Sequence, residues 1–166
     1  MAEVGYTMMC QQRSPKDLVN DLIHAERAGF DFSVISAPFP PLLRRAGPLG
    51  VRLVDLGGRR PSDRAHSAYD LRHLPDRSLP HPVIVAQKAA TMALLSDGRF
   101  SLGMGAGENL SEHVVGRGWP SADIRHEMFV EAIEIIRTLF DGGYVTYHGE
   151  HLDVEDAKLF DKPDER

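Results

Sequence analysis

The strongest constraint on this chain is an order of elements that it uses more than once. A short apolar run leads through a polar turn into a helix with an apolar stripe, a glycine stop and a second apolar run. Val4 to Met9 reads as a buried strand. Ser14 then offers an oxygen to free helix N–H groups, and Pro15 suits the first helical position. Leu18, Leu22, Ile23 and Ala25 form the stripe, Gly29 closes the helix, and Phe30 to Ser36 reads as a second strand. A strand–helix–strand unit of about thirty residues joins parallel strands, since a parallel pair needs a crossover where an antiparallel pair needs only a turn.

The pattern returns after Pro82. Val83 to Leu95 reads as a helix stopped at Ser96-Asp97-Gly98, and Phe100 to Met104 as a strand. Residues 123–140 form the clearest helix, with Ile124, Met128, Ala132, Ile135 and Leu139 on one face and Gly142-Gly143 at the end. Tyr144 to Tyr147 and His151 to Val154 read as a hairpin turned at His148-Gly149. Repeated strand–helix units are built either into a doubly wound sheet or into a (β/α)8 barrel. A barrel takes about 250 residues, so a chain of 166 has room for roughly half.

Between the two regular regions lies an island of different composition. Residues 41–80 hold Arg44, Arg45, Arg52, Arg59, Arg60, Arg64, Arg72 and Arg77, with no lysine and no glutamate. Against Asp55, Asp63, Asp70 and Asp76 this gives +4, which leaves −9 elsewhere in a chain of net charge −5. Five prolines interrupt it, no apolar period runs through it, and no third strand is recognisable there. A patternless loop of this length is uncommon inside a compact domain. The overall negative charge and the lack of stacking aromatics other than Tyr69 speak against nucleic acid as a partner. No apolar run reaches the roughly 18–20 residues that span a bilayer. Met1 to Met9 lacks the charged-then-apolar order of a signal peptide, and a single cysteine, Cys10, fits a reducing cytoplasm.

Chemistry concentrates after the Phe100–Met104 strand, in Gly103-x-Gly105-x-Gly107-Glu108-Asn109. Glu108 stands where a dinucleotide fingerprint would place its next glycine, so the run is not that motif. Two readings stay open: a tight turn, or a loop whose bare backbone approaches a ligand with Glu108 and Asn109 beside it. Its position at the C-terminal end of a parallel strand favours the second. His113, His126, His148 and His151 have no companion cysteines or carboxylates at metal spacing and read as surface or core residues. Cys10 reads as a buried thiol without a local base, and Met8, Met9, Met92, Met104 and Met128 as core filler.

These residues also carry a resemblance. Gly5-Tyr6-Thr7, Ala25-Glu26-Arg27-Ala28-Gly29-Phe30-Asp31, Val34-Ile35-Ser36, His81-Pro82 and Ala86-Gln87-Lys88-Ala89-Ala90-Thr91-Met92 are its first part. Gly105-Ala106-Gly107-Glu108-Asn109-Leu110, Gly118-Trp119-Pro120 and Arg125-His126-Glu127 complete it. In this order and spacing the chain resembles the luciferase-like flavin/deazaflavin oxidoreductases, nearest the F420-dependent branch that includes F420-dependent glucose-6-phosphate dehydrogenase. The resemblance implies an α/β fold, the N-terminal half of a (β/α)8 TIM-type barrel, incomplete as it stands. One partial barrel domain would cover residues 1–166, with 1–36 and 81–166 family-like and 37–80 aberrant. It further implies coenzyme F420, with FMN as the alternative, a small-molecule substrate, and a homodimer in intact relatives. Gly105, Ala106, Gly107, Glu108 and Asn109 would line the cofactor, with Glu108 the acid beside the ring.

The departures from the family pattern are equally specific. Pro38 stands where the family carries its catalytic histidine, Leu42 where it carries a tryptophan, and Gln11 where relatives often carry a glutamate. The island itself is consistent with two compensating frame changes near residues 37 and 80. Residues 55–76, re-read one base later with permissible GC-rich codons, give a family-like helix followed by a third strand. The same offset makes Arg44 to Leu49 family-like as well. A genuine basic insertion is the competing account. With an open barrel and no histidine, the expectation is a chain that binds F420 weakly or not at all, aggregates and turns nothing over. The competing expectations are a half-barrel interaction module or pseudoenzyme, and an FMN-dependent monooxygenase.

Overall fold

The computed structural model describes residues 2–8, 13–36, 66–71, 81–109, 113, 116 and 118–163. The elements are β1 (Gly5–Met8), α1 (Pro15–Arg27), β2 (Phe32–Ser36), β3 (His66–Leu71), α2 (Pro82–Leu95), β4 (Phe100–Met104), α3 (Ala122–Asp141), β5 (Val145–His148) and β6 (Asp153–Ala157). The first four strands form one parallel sheet in the order β1-β2-β3-β4, and β5 and β6 pair antiparallel as a separate hairpin. Sequential order matters here. A doubly wound sheet reverses direction partway, whereas a barrel adds each strand on the same side of the last. The open sheet is therefore the first half of a barrel, as its sequence implies.

Local chemistry explains where the elements start and stop. Ser14 caps α1, its Oγ accepting from the Asp17 N–H at 3.3 Å and donating to the Asp17 carboxylate at 2.7 Å. Gly29, at φ +94°, ends that helix in a left-handed conformation that costs glycine little. The starts of β1 and β2 are tied together by Val4 N–H to the Asp31 carboxylate at 2.8 Å and Asp31 N–H to the Val4 carbonyl at 3.0 Å. Gly5 lies in register with Phe32, whose ring occupies the space a Cβ would need. His81 caps α2 through Nδ1, with Pro82 at its first position, and Ser121 caps α3.

The core is one apolar cluster beneath the helices. Met8 and Ile35 reach it from the sheet, Leu18 and Leu22 from α1, Val85, Ala86, Ala90 and Met92 from α2. Ala132, Ile135, Ile136 and Leu139 come from α3, and Val145, Leu152, Val154 and Leu159 from the hairpin and the residues around it. Helices α2 and α3 pack against each other, and α3 carries β5 on its flank. Ile124, which the spacing puts on the same stripe of α3, is exposed: it lies in the first turn, beyond the cluster.

The family resemblance requires a third strand within the island, though no pattern of residues marks it; β3 runs there at His66–Leu71, parallel to β2 on one side and β4 on the other. In a parallel sheet the ladder is made by backbone groups, and two flanking strands template a third whatever its apolar period. The rest of the island, with its eight arginines and Leu42, lies outside the described residues, as do Pro38, Cys10 and Gln11.

Candidate functional site

Registers across the sheet bring the strand ends together. Met8 pairs with Ile35, Ser36 with Asp70, and Leu71 with Met104, so all four strands release the chain at one edge. Gly105 to Asn109 follow β4 at that edge, where barrels of this kind build their sites. Gly105, Ala106 and Gly107 are half-buried, and Glu108 and Asn109 are exposed. The Asn109 carbonyl lies 3.2 Å from Nδ1 of the His113 ring. All five residues expected to form the site are consecutive and follow β4 at this edge.

The loop is held by a residue the sequence did not single out as functional. Arg125, in the first turn of α3, donates through one guanidinium nitrogen to the carbonyls of Ala106 and Gly107, both at 3.3 Å. Its guanidinium carbon lies 5.0 Å from the ring centre of Trp119, a cation–π stack. Its Nε is buried and has no hydrogen-bond partner among the described residues. An orphaned buried donor costs about 1–3 kcal/mol. The carbonyls and the tryptophan must offset that cost for the guanidinium to stay in place. Gly107 makes the convergence possible: at φ +83° it turns two successive carbonyls toward one donor, which an ordinary strand residue would point to opposite sides. The sequence clues were an arginine four residues after the Ser121 cap and a tryptophan just before it, but no spacing rule couples them to residues 106 and 107.

Of the four candidate histidines, His113 meets the loop and the other three lie on α3 and the hairpin. His148 Nδ1 meets the Asp153 carboxylate at 3.2 Å across the hairpin, and His151 Nε2 meets the Glu127 carboxylate at 3.1 Å. His126 is exposed on α3. Among the described residues, no group of three or more His, Cys, Asp or Glu side chains is placed to hold a metal ion. No helix among them is long and apolar enough to cross a membrane. A cavity of about 780 Å³ lies elsewhere, against the helix-facing side of β4, lined by Phe100, Leu102 and Met104 with Phe129, Ile133 and Phe140 of α3. It is a groove between sheet and helix whose lining also includes Asp97 and Arg137.

The strand order makes the sheet the first half of a barrel, with the glycine loop at the edge where its strands end. Residues 77–166 match the luciferase-like monooxygenase family, and the chain belongs to that family. Over 164 residues it is 34% identical to an F420-dependent glucose-6-phosphate dehydrogenase of Beutenbergia cavernae, a match over 99% of this chain and 48% of that protein. A protein of the same description from Segniliparus rotundus is 36% identical, over 98% of this chain and 49% of its own length. The chain thus spans about half the length of these curated relatives. Among solved structures, an F420-dependent secondary alcohol dehydrogenase in complex with an F420-acetone adduct superposes with a TM-score of 0.88 at 29% identity, over 99% of this chain and 50% of that one. The oxygenating constituent of 3,6-diketocamphane monooxygenase from Pseudomonas putida, in complex with FMN, superposes at 0.71 with 16% identity over 97% and 46%, a likeness of fold alone.

Proposed function

We propose that this chain is the N-terminal half-barrel of an F420-dependent oxidoreductase, that its cofactor lies against Gly105–Asn109, and that the chain alone is without dehydrogenase turnover. The single observation that carries the reading is the bare-backbone loop at the end of β4, with Gly107 at φ +83° and Glu108 exposed directly after it. The residues present suit a flat aromatic ring. A backbone without side chains at 105 and 107 lets a ring approach closely, and a carboxyl at 108 can hold or deliver a proton beside it. When bound, the deazaflavin supplies a carbon that takes or gives a hydride. The relatives named above favour F420 over FMN, because the matches near or above 30% identity are to proteins described as F420-dependent. The substrate class is a small organic molecule, in a cytoplasmic enzyme whose intact form is a homodimer.

Lack of turnover follows from Pro38. A prolyl ring cannot exchange a proton, and it stands where the resemblance places a histidine. The reading also treats residues 37–80 as an aberrant segment between family-like flanks. Sequencing the coding DNA across it tests the frame changes directly, since a genuine insertion reads through unaltered.

The functional test is titration of the purified 166-residue chain with F420, followed by the deazaflavin's fluorescence, with FMN in parallel. We expect F420 to bind with a dissociation constant no tighter than about 1 μM, FMN not to compete, and no turnover of alcohols or sugar phosphates. Preference for FMN moves the chain to the monooxygenase side of the family. A chain that melts cooperatively and binds neither is a non-catalytic interaction module.

A further inference from the structure

The parallel sheet ends in two edges that suit each other. Its strands run in the order β1-β2-β3-β4, so among the described residues β1 and β4 each have one ladder neighbour. A barrel of this kind has eight strands, and the sheet supplies four. The helix-facing side is apolar at both edges. On β4 it carries Phe100, Leu102 and Met104, which line the groove against α3. On β1 it carries Tyr6 and Met8, packed in the core, and two residues before Tyr6 stands Val4, 56% exposed. Pro163 also lines the groove. Asp164, Glu165 and Arg166 after it are three charged residues, fewer than the four of β1 and too polar to cover an apolar wall.

We propose that this half-barrel binds a second copy of itself, β4 of each chain pairing in parallel with β1 of the other to close an eight-stranded barrel. A two-fold axis along the barrel makes both junctions at once. It keeps every strand parallel, because rotation about that axis leaves strand direction unchanged. Closure also leaves no free edge, where an open sheet invites ladder growth from chain to chain. The groove beside each β4 is then covered by the Val4–Tyr6 end of the other copy, which takes Val4 out of water. The pairing uses the strand edges and not the glycine loop, so it stands whichever cofactor that loop takes.

The experiment is sedimentation velocity on the purified 166-residue chain over a dilution series, with residue-resolved amide hydrogen exchange at both ends of the series. A two-chain species is expected at the concentrated end. Alternate amides of β1 and β4, those not used in the β1–β2 and β3–β4 ladders, should exchange about tenfold more slowly there than in dilute solution. Amides of β2, which already has a neighbour on each side, should not change. Val4→Lys puts a charge on an exposed edge position, as natural sheet edges do, and should weaken the pairing by about tenfold or more while the single chain melts as before. Where Val4→Lys fails to fold, the exchange pattern of the wild type decides. A chain that stays single at every concentration overturns the proposal, and so does a series of species that grows beyond two chains. A two-chain species without slower exchange on both β1 and β4, or one indifferent to Val4→Lys, overturns it as well, since that pair meets through other surfaces.

Discussion

Helix α3 grips backbone at two places, and the two grips are near mirror images. At its N-terminal end Arg125, a cation, collects the carbonyls of Ala106 and Gly107. One and a half turns on, Glu131, an anion, collects amides. One carboxylate oxygen accepts from Glu150 N–H at 2.9 Å and His151 N–H at 3.3 Å, and the other from His151 N–H at 3.2 Å and Leu152 N–H at 2.9 Å. Gly149 leaves the carboxylate the room it needs, since a Cβ there would run into it. The Glu131 grip uses both oxygens at short distance on three successive amides. The Arg125 grip uses one nitrogen at 3.3 Å twice and leaves Nε with no partner among the described residues. A clamp that satisfies its groups internally holds structure. A clamp that holds a glycine loop at the edge where four strands end holds it where barrels of this kind build their sites.

The comparison breaks first if the helix beneath both grips gives way. Ile135 is fully buried in the cluster that α3 shares with α2 and the hairpin. Ile135→Ala is expected to cost about 2–5 kcal/mol, loosening the hairpin and the glycine loop together, as denaturant titration with two local probes would report. An effect confined to one end would mean that the two grips do not share a support.

The next largest effect separates them. Glu131→Ala strands three amides of the hairpin turn and is expected to cost about 2–3 kcal/mol, with faster exchange at Glu150, His151 and Leu152 and none at Gly107. Glu131→Gln keeps one oxygen as acceptor and should lose about half as much. Arg125→Met, in contrast, should lower global stability by about 1 kcal/mol or less, since its bonds are longer and its Nε gains nothing from the native fold. If the two variants cost the same, the contrast between a structural and a site-forming clamp is wrong.

Much of this molecule could be read from spacing alone, and the exceptions have physical causes. Phe100–Met104 alternates and ends in a glycine run, and residues 122–141 carry an apolar stripe with a serine cap, so β4 and α3 fall where their periodicities put them. Glycines at 103, 105 and 107 marked the end of β4, while leaving both a tight turn and a ligand-binding loop open. β3 was not legible, because His66, Ser67 and Asp70 spoil any apolar period while the strand is made by ladder bonds to its neighbours. Neither grip of α3 was legible either. Arg125 reaches back 18 and 19 residues, and Glu131 forward 19 to 21, to backbone groups that carry no side-chain signature.

The smallest expected effect lies at the edge of the Glu131 grip and sharpens its electrostatics. The Tyr147 hydroxyl donates to the Glu134 carboxylate at 3.0 Å. Partial burial, then that hydrogen bond and the negative charge of Glu134 and Glu131, hold its pKa above the ordinary value of 10.0. The fold therefore keeps the proton more tightly than the unfolded chain does. Stability from this source is complete below pH 10 and is lost as the pH rises from there through the raised folded value, because the unfolded chain ionises first. Melting temperature should accordingly fall more steeply with pH above about 10 in wild type than in Tyr147→Phe. At pH 7 the two should differ by about 0.5 kcal/mol or less, since one solvent-accessible hydrogen bond contributes little. Parallel alkaline slopes would mean that the fold holds the Tyr147 proton no more tightly than the unfolded chain does.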